Sequence, residues 1–246
     1  MDFSLVIPAY NEENYLPRLL NSVDRARENY VNGPDAIEVI VADNNSTDRT
    51  AEVARDRGCR VVPVEKRCIA SARNGGAAVA SGEVLCFIDA DSQVHPDTFN
   101  VIHRDFVPEK YVAGATGVTM ERMSLGIFFA YCMMVPMVWV MKMDTGAVFC
   151  RREDFKMIGG YNEGRLFAED VQFLMNLRAL GKPRGQKFAR LTQVKAIAST
   201  RKFDIHGDWH YFAMLLKAPF LASIFKGKLD AFAREYWYNE RREPPR

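Results

Sequence analysis

Apolar residues in this chain come in short runs closed by polar clusters, and the spacing inside the runs alternates between two kinds. Phe3 to Ile7 is a compact apolar run stopped by Pro8, which predicts a strand. Asn11 follows as a candidate helix N-cap, with Glu12 and Glu13 in a first turn. Tyr15, Leu16, Leu19, Leu20 and Val23 then recur at helical spacing. Ile37 to Ala42 predicts a second strand, entered through the Gly33-Pro34 breaker. After the polar turn from Asp43 to Asp48, Ser46 or Thr47 can cap a helix that ends at Gly58. Arg60 to Val64 predicts a third strand, Ile69 to Ala80 an Ala-rich helix closed by Ser81-Gly82, and Val84 to Ile88 a fourth strand. Strand and helix alternate at the spacing of βαβ units, which predicts an α/β fold with a mostly parallel sheet and right-handed crossovers.

The pattern then changes. A helix is expected from Pro96 to about Phe106 and a strand from Tyr111 to Thr119. Met123 to Met141 contains no charged residue and is flanked by Arg122 and Lys142. Its nineteen residues approach the roughly 20 needed to cross a bilayer. Thr145 to Cys150 is strand-like, Phe155 to Gly160 a turn of helix, Glu169 to Leu180 a helix stopped by Gly181, and Arg190 to Ile197 a last strand. The segment from Trp209 to Trp237 is aromatic and basic, with helices expected to break near Pro219 and Gly227. The expected organisation is one domain over 1–205, divided into halves over 1–95 and 96–205 where the pattern changes. A helical, membrane-associating tail is expected over 206–246.

Composition narrows the class. The chain has 246 residues, 48% of them hydrophobic, enough for a sizeable core. Lys and Arg exceed Asp and Glu by 33 to 31, so nothing in the charge balance calls for nucleic acid. Five cysteines, odd in number and without zinc-like spacing, read as reduced thiols; Cys86 and Cys150 fall in strand-like apolar runs. Met1-Asp2-Phe3-Ser4 lacks the basic and apolar regions of a leader, so the expected location is cytoplasmic.

The candidate chemistry lies where the strands of the first half end. Each predicted strand runs into a polar cluster: Tyr10-Asn11-Glu12, Asp43-Asn44, Lys66-Arg67 and Asp89-Ala90-Asp91. In a parallel sheet these ends share one edge, where open α/β folds bind ligands. Two carboxylates one residue apart are oxygen donors suited to Mg2+ or Mn2+ shared with substrate phosphates. Tyr10 is placed to cover a base, Asp43 to accept from a base N–H, Asp89 to accept from a ribose hydroxyl, and Arg73 to pair with a phosphate.

The ordered set of short motifs resembles the family 2 glycosyltransferases of the GT-A fold. It comprises Ile7-Pro8-Ala9-Tyr10-Asn11-Glu12-Glu13, Val41 to Asp48, Ala72-Arg73-Asn74-Gly75, Asp89-Ala90-Asp91, Gly146 to Phe149 with Arg151-Arg152, Gly159-Gly160-Tyr161 and Glu169-Asp170. The resemblance covers residues 3 to 180 or so and implies a Rossmann-like, mostly parallel sheet flanked by helices. It implies an inverting enzyme that moves a sugar from a UDP- or GDP-linked donor to an acceptor. The resemblance further implies that Tyr10, Glu12 and Asp43, with Pro8, hold the donor, and that Asp91, with Asp89, holds Mn2+ or Mg2+ on the diphosphate. It implies that Asp170 of the Glu169-Asp170 pair is the catalytic base. Gln93 matches a position that joins the metal shell in polyprenyl-phosphate mannose synthases. Ser199-Thr200-Arg201-Lys202 resembles a basic segment that closes over the diphosphate, and His206 or His210 is a further candidate ligand.

Two rival functions are weaker. A sugar nucleotidyltransferase needs a Gly-rich phosphate loop, and Leu5 to Asn14 has no glycine. A non-catalytic nucleotide-sugar-binding or membrane scaffold has no need of a base such as Asp170. A single crossing by 123–141 would put Asp91 and Asp170 on opposite sides of a bilayer, so the stretch is expected to be a core or interfacial helix. With the lysines and aromatics of the tail it predicts peripheral contact with the inner face of the cell membrane and a lipid-linked acceptor, the plainer reading being core packing.

Overall fold

The computed structural model describes residues 1–141, 144–165 and 168–213, with only the backbone described over 134–141. Its centre is β1 (Phe3–Ala9), every residue of which is buried. Side chains alternate across it, so Leu5 and Ile7 enter one apolar core and Val6 the other. The parallel strands β2 (Ile37–Asp43) and β4 (Val84–Phe87) flank it, and β3 (Arg60–Pro63) extends the sheet beyond β2.

On the other side of β4 the pattern is mixed. β5 (Tyr111–Met120), β6 (Val148–Arg151) and β7 (Lys187–Ala198) complete a seven-stranded sheet of order β3-β2-β1-β4-β6-β5-β7. β6 runs antiparallel to both β4 and β5, while β5 and β7 are parallel. The helices α1 (Leu16–Glu28) and α4 (Thr98–Asp105) pack on the face holding Leu5, Ile7 and Phe149. The helices α3 (Ile69–Ala78) and α7 (Glu169–Gly181) cover the face holding Val6, Leu85 and Phe87. Helix α2 (Thr50–Asp56) follows β2, and the short α6 (Arg152–Met157) and α8 (Arg201–His206) follow β6 and β7.

Three sequence readings are corrected. Pro8 does not end the first strand but lies inside β1, opposite Ala42. The Val6 carbonyl accepts from Ile88 on the β4 side, and the Ala9 carbonyl accepts from Asn44 on the β2 side. Two residues on from Val6, Pro8 therefore faces the β4 side beyond that strand's last pair, where a missing N–H removes no ladder bond. Asn11 is not a helix cap. It adopts a left-handed conformation (φ 52°), and its carboxamide bonds the backbone N–H of Thr47 at 2.8 Å, tying the loop after β1 to the loop after β2. Helix α1 starts only at Leu16, so Glu12 and Glu13 belong to that loop rather than to a helical turn. Neither Ser46 nor Thr47 caps α2; Asp48 accepts from the Thr50 N–H at 2.9 Å instead.

The uncharged stretch forms α5 (Leu125–Met141), and among the described residues no helix is long and apolar enough to cross a membrane. Its start is partly inward, with Ile127 and Ala130 buried, while Leu125, Phe128 and Phe129 are exposed. Trp209 stacks on Phe129 with ring centroids 5.8 Å apart. The expected tail helices beyond residue 213 lie outside the described residues.

Candidate active site

The loops after β1, β2 and β4 all leave the same edge of the sheet, because the three strands are parallel. Tyr10 lies under the Arg67 guanidinium, 3.9 Å from the ring centroid. Asp43 ends β2; its Oδ1 accepts from the Ser46 N–H at 3.2 Å and its carbonyl accepts from Val64 at 2.8 Å. Asn44, buried beside it, donates to the carbonyls of Val64 and Lys66, which holds the segment before Arg67 against β2.

After β4 the chain turns through Asp89-Ala90-Asp91 and returns to the sheet. Gln93 and Ile197 exchange backbone hydrogen bonds of 2.9 Å in each direction. This bridge sets the acidic turn against the end of β7, and therefore against α8, which begins three residues after β7. The result was not visible in sequence: Arg201, the first residue of α8, reaches both acidic loops. It donates to Glu12 at 2.8 Å through Nη1 and to Asp91 at 2.9 Å through Nη2, with its guanidinium 4.4 Å from the Tyr15 ring. The Arg201 side chain is only 9% exposed and that of Glu12 only 3%. The expected basic lid is thus already packed on the carboxylates. Lys202 stands beside it within electrostatic reach of Asp91 and Asp89; burial lowers its pKa to about 8. Burial also raises the Asp91 carboxyl above its ordinary range, an effect Arg201 opposes.

Arg73 makes a second buried hub. Helix α3 carries it under the acidic turn, where Nη2 donates to Asp89 and Nη1 to Glu169, each at 3.0 Å. Tyr161 faces the guanidinium at 5.1 Å and stacks on Phe173 with ring centroids 3.9 Å apart. Burial opposes the Arg73 charge, but Tyr161, Asp89, Glu169 and Asp170 around it outweigh that and hold it positive. Burial raises the pKa of Glu169, partly offset by Arg73. Arg73, expected to pair with a phosphate, is held here between two carboxylates.

Asp89, Arg73 and Asp170 line one pocket, with Ser92, Thr145 and Tyr161 beside them and Phe87, Val148, Leu174 and Ala196 as apolar wall. Asp170 opens α7 next to Glu169 and accepts from the Val171 N–H. The two members of the pair are divided: Glu169 is held by Arg73, and Asp170 faces the cavity. Asp91 lies on the Arg201 side of the acidic turn rather than on this wall. Tyr161 and Tyr15 were not singled out as site residues. The Gly159-Gly160 pair before Tyr161 was the available signal, since both glycines take positive φ and turn the ring inward.

The oxygen donors of Asp89 and Asp91 fit a hard divalent cation in kind. Among the described residues no three His, Cys, Asp or Glu side chains gather as a ready metal cage. His206 and His210 lie ring to ring at 5.2 Å, and His210 bonds the Gly207 carbonyl. A cation here would draw on the acidic turn and on the ligand's own oxygens.

Comparison with known proteins matches this edge of the sheet. The model of glycosyl transferase family 2 matches residues 4–122, which include β1 to β5 and the acidic turn. The chain is 36% identical over 121 residues to validoxylamine A glucosyltransferase of Streptomyces hygroscopicus subsp. limoneus, covering 45% of this chain and 26% of that protein. It is 32% identical over 116 residues to 4,4'-diaponeurosporenoate glycosyltransferase of Staphylococcus haemolyticus, covering 44% and 29%. The matched region thus spans less than a third of these curated relatives.

The fold is shared more widely. Mannosyltransferase PcManGT from Pyrobaculum calidifontis, solved with GDP-Man and Mn2+, superposes with a TM-score of 0.66 at 20% identity, covering 96% of this chain and 70% of that one. S. aureus TarS 1–349 with UDP-GlcNAc gives 0.63 at 20% identity, with the same coverage. M. tuberculosis glucosyl-3-phosphoglycerate synthase with Mn2+, UDP and phosphoglyceric acid gives 0.58 at 22% identity, covering 87% and 77%. The sheet is that of the GT-A glycosyltransferases, as the family 2 motifs imply.

Proposed function

We propose that this chain transfers a sugar from a nucleoside-diphosphate donor, UDP- or GDP-linked, to an acceptor hydroxyl or phosphate with inversion. The observation that carries the reading is that Asp89, Arg73 and Asp170 line a common pocket at the edge where the family 2 loops converge. The nucleoside lies over the loops after β1 and β2, with Tyr10 against the base and Asp43 accepting from its N–H. Asp89 accepts from the ribose, and Arg201 and Lys202 face the diphosphate. Glu169 keeps Arg73 in place; Arg73 in turn orients Asp89.

Asp170 is the base. Its carboxylate takes the proton of the acceptor group as that oxygen bonds to the anomeric carbon and the bond to the diphosphate breaks. One displacement inverts the anomeric centre and needs no covalent nucleophile. Asp91, with Asp89 and Gln93, would hold a divalent cation, Mn2+ or Mg2+, which when bound would stabilise the charge on the departing diphosphate. The solved complexes of PcManGT and glucosyl-3-phosphoglycerate synthase with Mn2+ support this choice.

Leu125, Phe128, Phe129 and Trp209 form an exposed apolar face, which supports a lipid-linked acceptor met at a membrane surface. A panel of UDP- and GDP-sugars screened by thermal shift with Mn2+ tests the donor class. A donor that stabilises the protein and is transferred by wild type but not by Asp170→Asn is the expected result. Stabilisation by no nucleotide sugar would overturn the reading.

A further inference from the structure

Arg201 lies where a divalent cation would have to approach. Nη1 and Nη2 both donate to Glu12, at 2.8 and 3.3 Å, and Nη2 also donates to Asp91 at 2.9 Å, so one guanidinium already pairs with the carboxylate expected to hold the metal. Lys202 adds a second positive charge within reach of Asp91 and Asp89. The placement is built: the Arg201 side chain is 9% exposed. Tyr15 packs against the guanidinium. Arg122 anchors the far end of α8 and the following turn through Asp204 and Asp208. A bare divalent ion arriving at Asp91 would meet two like charges and would have to displace a buried ion pair. A nucleoside diphosphate changes that balance, because its phosphate oxygens give Arg201 and Lys202 new partners and give the metal new ligands.

We propose that Arg201 makes this a site for a metal–nucleoside-diphosphate complex rather than for a free metal ion. It shields Asp91 until the diphosphate draws it away. The inference rests on the donor reading above and adds to it the identity of the ligand as a preformed or co-bound complex. Mechanistically, Arg201 is a positioning residue: with no ligand it presets Glu12 and Asp91, and with ligand it pairs with phosphate.

The test is Mn2+ titration followed by electron paramagnetic resonance, on the full chain, with Mn2+ alone and with UDP or GDP added. Wild type should bind Mn2+ alone poorly and at least about tenfold tighter with nucleotide, the size of effect expected from one unit charge a few ångströms away at a partly screened site. Arg201→Gln should bind Mn2+ alone about tenfold more tightly than wild type, by the same reasoning, while binding Mn2+ with nucleotide more weakly. Lys202→Met should move the same way to a smaller extent, and it serves as the second probe if circular dichroism shows Arg201→Gln to be unfolded. Tight binding of Mn2+ alone to wild type, or an unchanged affinity for Mn2+ alone in a folded variant, would overturn the proposal. If nucleotide binds in every form yet never changes Mn2+ affinity, this inference fails and the glycosyl-transfer reading stands. If no nucleotide binds at all, both fail.

Discussion

Arg73 and Glu169, ninety-six positions apart, meet through a 3.0 Å hydrogen bond in a region nearly closed to solvent. The contact joins α3 to α7, so the acidic pair that opens α7 is tied to the acidic turn after β4 by a buried guanidinium.

Removing that guanidinium should be costly. Arg73→Ala strands Glu169 as a buried charge and releases Asp89, and a loss of about 3–5 kcal/mol is expected for breaking one side of a buried pair. Arg73→Lys should recover only part of this, since a single ammonium cannot reproduce the planar fork that spans both carboxylates. Chemical denaturation of the two variants measures it; a loss below about 1 kcal/mol for Arg73→Ala, typical of an exposed pair, would contradict the hub.

Asp170→Asn should separate chemistry from binding. The residue lines the pocket, and its carboxylate accepts a hydrogen bond from the adjacent Val171 N–H, which an Asn carbonyl oxygen can also accept. Stability and nucleotide affinity should change little while turnover falls by roughly a hundredfold or more, the usual contribution of a general base. Asp91→Ala should show the opposite pattern: lost Mn2+ and donor binding, and a lower melting temperature because Arg201 loses a partner. Equal effects of both variants on donor affinity would remove the division of roles.

Acid stability should depend on Glu38. Burial in β2 would raise its pKa, but hydrogen bonds from Ser4, Ser81 and Gly82 outweigh this and hold it below the ordinary 4.5. For a carboxyl depressed in the folded state, the stabilisation is fully present above the unfolded value and is lost as pH falls through the folded one. Glu38→Gln should therefore be less stable than wild type at neutral pH, with the difference shrinking below pH 4.5. Thermal melts across that range check the sign; a difference that grows on acidification would refute it.

The exposed face of α5 offers a membrane test. Wild type should float with anionic vesicles at low salt, and a Phe129→Ala/Trp209→Ala double variant, which removes the stacked pair, should float less. No flotation of wild type would leave α5 without a lipid role.

Much of the architecture could be read from the residues alone. Alternating periodicities located strands and helices to within a few residues, because burial on a sheet face or a helix stripe imposes its period on sequence. The edge holding Tyr10, Asp43 and Asp89 followed from parallel strand order, since equal chain direction puts equal ends together. The readings at Pro8, at Asn11 and at the Ser46-Thr47 cap differ from the structure, because local preference there argues for a break or a cap. At Pro8 and Asn11 the outcome was set by which neighbour strand stops first and by a loop 36 residues away.

What composition and spacing determined, then, was the α/β sheet and the set of carboxylates on offer, beside the family 2 resemblance carried by the ordered motifs. Only the folded chain decided how those carboxylates are partnered: Glu169 with Arg73, Asp91 and Glu12 with Arg201, Asp170 facing the pocket. Periodicity reports burial, which each segment carries in its own sequence. Pairing between Glu12 and Arg201, 189 positions apart, is a property of the long-range return of β7 to the acidic turn, and no local pattern encodes it.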